Sequence, residues 1–158
     1  MYPMLAGLRP FLGDGILGTF EGATRGSGVA WNATQVGVAP PNALAPLETA
    51  FVAVLTGPRT ASSGEAVTVS FRGRPRTRSF GQPTAGLTTG NEMYGLPDGG
   101  ALLLTTSVYV DRTGRRYGAS VPPDESVGQP AGGAISRDET LERAKKWLAA
   151  VSGCRSSR

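Results

Sequence analysis

The sequence predicts an α/β fold, and three observations carry that expectation. A Val-rich apolar run, Ala50–Leu55, is followed within a few residues by a helix-start signature in TASSGE. The stretch YGLPDGGALLLTTSVYVDRTGRRYG reads as a hairpin with a turn at each end of its second strand. The last periodic segment, DETLERAKKWLAAV, has the apolar spacing of an amphipathic helix.

With 158 residues, 39% hydrophobic and 18% charged, the chain can build one domain with a core. Its 23 glycines and 12 prolines predict many turns and long irregular connections. No apolar run approaches the roughly 20 residues of a membrane-spanning helix. MYPMLAGLRP lacks the basic region of a signal peptide, and Pro3 and Arg9 interrupt its apolar stretch. One cysteine, Cys154, excludes an internal disulfide and reads as a solvated thiol. With no histidine and one cysteine, the chain is a poor source of zinc ligands, so neither metal nor cofactor is expected. The net charge of +4 is almost all arginine; the lysines are Lys145 and Lys146. Arginine without lysine can signal phosphate binding. It can equally follow from genome composition, which is the reading favoured here.

Leu5, Leu8 and Leu12 predict a helix over residues 3–12, opened by Pro3 and limited by Pro10. Residues 16–20 and 28–32 are short strand candidates around the turn RGSG, and residues 39–48 form a connector. The Ala50–Leu55 run reads as a strand of a parallel sheet, buried on both faces. Such a strand needs a covering helix next, and the following segment sends conflicting signals. Val67, Val69 and Phe71 alternate like a strand, whereas Ser62 and Glu65 match the capping box. The need for a crossover decides for helix. Residues 119–134 are a Pro/Gly-rich loop. In the final helix Ser136 and Glu139 form a second capping box. Leu141, Ala144, Leu148 and Val151 make its apolar stripe, and Gly153 its C-cap.

Three motifs invite chemistry and are set aside. Gly13-Asp14-Gly15-Ile16-Leu17-Gly18 matches GxGxxG, but a helix precedes it and a strand contains its end, the reverse of a dinucleotide site. The arginines of Arg72-Gly73-Arg74-Pro75-Arg76 suggest a minor-groove binder, yet a basic loop between helix and strand is the simpler reading, so no nucleic-acid partner is expected. Asn32-Ala33-Thr34 is a formal glycosylation sequon of a kind common by chance. TASSGE is different. By local pattern alone Ser62 is a helix cap. A serine at a strand-to-helix turn also sits where backbone N–H groups and the helix dipole stabilise negative charge, as an acyl-transfer nucleophile requires.

Five pieces now fall into a recognisable order. They are YPMLAGLRPFLGDGILGTF, FVAVLTGPRTASSGEAV, FGQPTAG, LPDGGALLLTTSVYVDRTGRRYGASVPPDESV and DETLERAKKWL. Together they resemble the C-terminal half of the tail-specific serine peptidases, the family of the C-terminal-processing proteases and the tricorn core, across most of residues 1–152. The resemblance implies a ClpP/crotonase-like α/β sandwich, incomplete at its N-terminus, with a β-hairpin region, the C-terminal amphipathic helix and a disordered tail at residues 153–158. It implies Ser62 as nucleophile and the Ser63 N–H as one oxyanion-hole donor. It also implies a peptide or protein substrate, supported by strand addition along the hairpin region. From the lack of a long apolar run, no membrane partner is expected.

The departures from the family pattern are specific. One branch places a lysine base in Thr-Phe-Gly-Lys, where this chain has Thr84-Ala85-Gly86-Leu87. The tricorn-like branch, which Pro83-Thr84-Ala85-Gly86 resembles more, uses a histidine and a Gly-rich Asn-Gly-Gly stretch upstream of the matched segment. Its supporting glutamate, expected shortly before Pro123-Asp124, is replaced by a neighbourhood of Arg116, Tyr117 and Gly118. The expectation is therefore the C-terminal portion of a peptidase, without its general base, exposing apolar faces that favour a homo-oligomer. The alternative is a non-catalytic scaffold or binding module of the same fold.

Overall fold

A computed structural model describes residues 1–24, 26–34, 45–128 and 139–152. The sequon's Thr34 lies within these residues. Cys154, Gly153, Ser136, the 153–158 tail and most of the 39–48 connector lie outside them.

The chain opens with α1 (Tyr2–Leu12), which buries Leu5 and Leu12. Pro3 occupies its first turn as expected, but Pro10 does not stop it. The helix runs two residues further, to Leu12, and Gly13, with φ 73°, closes it. Pro10 sacrifices one intrahelical donor near the C-terminal end, where few turns remain to be disrupted. The GxGxxG segment is the turn that leads into β1 (Gly18–Glu21), and β2 (Gly28–Trp31) returns antiparallel to it.

After a 3-10 turn (Ala45–Thr49) comes β3 (Val52–Thr56), then α2 (Ser63–Ser70) and β4 (Thr77–Gly81). Strands β3 and β4 are parallel, and α2 is the crossover between them, so the helix choice over alternating valines holds. β5 (Thr89–Gly95) and β6 (Ala101–Asp111) form the expected hairpin, closed at Leu96–Gly100. Within the stretch read as loop, Glu125–Ser126 forms β7, parallel to β4. A two-residue strand leaves no periodic signal. It is held from outside the ladder by Asp124, whose carboxylate accepts from the Ser79 N–H and Oγ–H, both at 2.7 Å. The chain ends in α3 (Glu139–Ser152).

Two sheets result. One is antiparallel, in the order β2-β1-β6-β5, and the other is parallel, in the order β3-β4-β7. The principal core contains Leu5 and Leu12 of α1, Trp31 of β2, Ala66 and Val69 of α2 and Tyr109 of β6, with Val52 and Val54 of β3 packed against it. Phe20, Trp31 and Tyr109 meet as tilted and edge-on rings with centroids 4.8–5.4 Å apart. The fully buried Trp31 indole donates to Ser70 Oγ (3.0 Å), tying the antiparallel sheet to the end of α2.

The opposite face of the parallel sheet meets α3. Trp147 lies against Phe51 and Phe80 at ring separations of 6.1 and 5.7 Å. Here the expectation of a strand buried on both faces fails. Among the described residues β3 is an outer strand, and Leu55, opposite Phe80 in register, remains 43% exposed. The apolar stripe of α3 is likewise only partly covered: Ala144 is buried, but Leu141 and Val151 are exposed.

Asp111 closes the turn after β6. Its carboxylate accepts from Thr113 N–H (2.8 Å), Thr113 Oγ–H (2.6 Å), Arg115 N–H (3.1 Å) and Tyr117 O–H (2.8 Å). Burial alone would raise this carboxyl; the bonds from Thr113, Tyr117 and Arg115 outweigh burial and hold it below its ordinary 3.8. A depressed carboxyl contributes stability that is present above its unfolded pKa and lost as pH falls through the folded value. Asp111→Asn should therefore lower the urea midpoint by a constant amount from pH 7 down to about 5. Below 3.8 the gap to the parent chain should close. A gap that stays constant through the acid range would contradict this role.

Candidate active site

The site begins where β3 ends. Thr56 Oγ–H donates to Gln82 O (2.9 Å), and Thr60 N–H donates to Gly57 O (2.8 Å), so the loop after β3 is tightly folded. It delivers Ser62 to the entrance of α2 with φ 51° and ψ −114°. That conformation is rare for a residue with a side chain and costs about 1–3 kcal/mol unless its surroundings enforce it. The serine is exposed, while Ala66, Val69 and Ser70 of the same helix are buried. Ser63 is the first residue of α2, so its N–H is among those the helix cannot bond internally.

Glu65 enforces the turn. It is fully buried, yet it lies on the face of α2 that also carries Val69. One carboxylate oxygen, Oε2, accepts the N–H of Ser62 (2.8 Å) and the N–H of Leu87 (2.8 Å). The other, Oε1, accepts Thr84 Oγ–H (2.5 Å) and Gly86 N–H (2.8 Å). Four donors thus converge on one side chain and satisfy it. The backbone nitrogens of Ser62 and Leu87 share an acceptor atom, so the 84–87 loop is pinned beside the serine turn.

The loop is fixed from behind as well. Ala85 N–H donates to Thr60 O (2.9 Å), and Val121 N–H donates to Thr84 Oγ (2.8 Å). Gly86 has φ 92°, and a Cβ there would come within 3.2 Å of the Ser120 nitrogen, so glycine suits both the backbone and the space. Leu87 projects outward, 56% exposed. Two residues later β5 begins, the outer strand of its sheet among the described residues.

The residues named from sequence thus come together. Ser62, Ser63 and Leu87 lie at one place, where a serine at a helix entrance faces a loop carrying leucine rather than a titratable group. Glu65 was legible only as a helix-capping acid. Its second role, holding the 84–87 loop, depends on a contact across 19–22 residues that no local pattern announces. The 72–78 arginines do not form an extended basic arm. Arg74 is buried and donates into the backbone, Arg72 pairs with Asp124, and Arg78 pairs with Glu125.

Ser62 thus occupies a strained strand-to-helix turn between two parallel strands of an α/β fold. In comparison with known proteins, the model of peptidase family S41 matches residues 3–127, and the chain belongs to that family. It is 30% identical over 139 residues to the nisin-resistance protein of Lactococcus lactis subsp. lactis, covering 84% of this chain and 44% of that protein. A lipoprotein from Streptococcus agalactiae superposes with a TM-score of 0.75 at 29% identity, covering 94% of this chain and 50% of that one. The photosystem II D1 C-terminal processing protease shares the fold, with a TM-score of 0.61 at 21% identity over 80% of this chain and 31% of its own. The chain therefore spans half or less of the length of these relatives.

Because Glu65 faces only donors, Glu65→Gln places an amide NH2 against at least one of them. Urea denaturation should show a loss of about 1–3 kcal/mol, the cost of buried donors left unpaired. Thr84→Val, which removes one of the four donors, should lose less. Equal stability of Glu65→Gln and the parent chain would contradict the four-donor arrangement.

Proposed function

We propose that the chain is the serine-bearing portion of a peptidase in which Ser62 is the nucleophile and the Ser63 N–H contributes to the oxyanion hole. The strained, exposed conformation of Ser62 at the entrance to α2 carries this reading. A helix cap does not need a left-handed φ, because cap residues ordinarily adopt the extended region. The cost of a left-handed serine is understandable where the turn must thrust the hydroxyl clear of the helix and leave the next N–H facing the same space.

In the proposed reaction Ser62 Oγ attacks a peptide carbonyl, its proton passing to a base, and the developing oxyanion is held by the Ser63 N–H and the N-terminal end of α2. The amine leaves with a proton, and water then releases the acyl group. The base is not Leu87, which cannot accept a proton, nor a histidine, since the chain has none. Glu65 is committed to four donors and acts as a positioning residue. The base accordingly comes from polypeptide beyond these 158 residues, and this chain alone is inert. The outer edge of β5, beginning two residues after Leu87, suits an extended substrate chain adding as a strand.

A second reading, a non-catalytic module that retains the peptide-binding edge, is favoured by one observation: an exposed leucine stands at the position pinned beside Ser62. A fluorophosphonate probe separates the two. With the chain extended upstream to supply a histidine, the probe should label Ser62, and Ser62→Ala should abolish labelling and lower peptide hydrolysis by about 10³-fold or more. An extended polypeptide that is never labelled, or whose hydrolysis survives Ser62→Ala, contradicts the peptidase reading.

A further inference from the structure

A cleft of about 460 Å³ opens at the other end of α2 from Ser62, bounded by the turn after the helix, the start of β4, Asp124 and Trp147. Four arginines are among its lining residues: Arg72, Arg74, Arg76 and Arg78. Two of these have acid partners. Arg72 Nη1 lies 2.6 Å from Asp124, and Arg78 Nη2 lies 3.2 Å from Glu125, which Arg143 also approaches at 3.7 Å.

Among the described residues Arg74 forms no ion pair. It is only 6% exposed, and its donors reach the backbone oxygens of Phe11, Leu47, Glu48, Ala50 and Pro75 and the Thr77 hydroxyl, all neutral. Those bonds satisfy geometry but not charge. A buried cation held mainly by dipoles, with Glu48 offsetting its charge only in part, leaves a positive field at the nearest opening. Burial first, and then the nearby Arg112, depress the Arg74 pKa, with Glu48 opposing in part. Arg112 itself donates to Ser70 O (2.7 Å) at the end of α2. Arg76 is exposed, donating to Thr49 O (2.9 Å) with its guanidinium over the Phe51 ring. The Arg78 side chain is 43% exposed. The cleft thus has a buried charge in its wall and two accessible forked donors.

We propose that this cleft binds a small multivalent oxyanion, bearing phosphate or carboxylate groups, gripped by Arg76 and Arg78 with Arg74 supplying the compensating charge behind them. Planar guanidinium groups match such oxygens in pairs. The volume is that of a small-molecule site rather than a duplex surface. The site stands apart from Ser62 and does not rest on the peptidase reading.

Titration calorimetry at fixed ionic strength tests it, using sodium pyrophosphate in one arm, citrate in a second and sodium chloride as reference. A saturable heat with pyrophosphate or citrate is expected, and the arm that gives it identifies phosphate or carboxylate as the source. The double variant Arg76→Gln/Arg78→Gln should bind at least about tenfold more weakly while keeping a native circular dichroism spectrum in chloride. Arg76→Lys/Arg78→Lys keeps the charges but loses the forks. It should also bind more weakly, and it carries the test if the Gln pair fails to fold. No saturable heat from either anion overturns the proposal. So does an affinity indifferent to both double variants, or tighter binding of a short DNA duplex than of pyrophosphate.

Discussion

The Glu65 carboxylate is the point on which the site depends. It accepts the N–H of Ser62 on one side and three donors of the 84–87 loop on the other. Each bond to a buried carboxylate is worth more than a bond between neutral groups. The arrangement fails as a unit, since removing the acceptor leaves four donors, one buried and three part-buried, without their partner. The left-handed backbone at Ser62 persists because this bond and the burial of α2 behind it leave the turn no cheaper alternative.

The same device recurs through the chain. With so many glycines and prolines, long segments have no ladder to satisfy their backbone, and buried polar side chains take over that work. Asp111 closes the turn after β6, Asp124 joins β7 to β4, and Arg74 gathers carbonyls from α1, the 3-10 turn and the approach to β3. The two sheets are then held together by α2, the aromatic cluster and the Trp31–Ser70 bond. Among the described residues, the outer strands and the hairpin tip remain open. There Met93 and Leu103 are about two-thirds exposed or more, and Tyr94, Leu102 and Leu104 are exposed on the other face. A two-stranded projection of this kind is marginal by itself.

Much of this was legible in the sequence. The parallel pair with its crossover helix followed from an apolar valine run and a capping box, even though the valines of α2 argued locally for a strand. The hairpin followed from Pro97-Asp98-Gly99 and the alternation beyond it. Three things were not legible, each for a physical reason. The run 50–55 reads as buried on both faces because apolar content does not say how far a covering helix extends, and α3 leaves Leu55 uncovered. β7 is too short to have a period. The double duty of Glu65 is a tertiary contact, hidden behind a local role that the same atoms also perform.

Membership of peptidase family S41 places the chain among peptidases, and the serine turn with its facing loop is the part of it whose geometry is most tightly fixed. The central claim is that one carboxylate holds the serine turn and the facing loop as a single body. Amide hydrogen exchange at Ser62, Gly86 and Leu87 measures this directly. The account predicts that these three amides share one slow exchange rate in the native chain, and that in Glu65→Gln all three accelerate together. Acceleration of Ser62 alone, with Gly86 and Leu87 still protected, would contradict it.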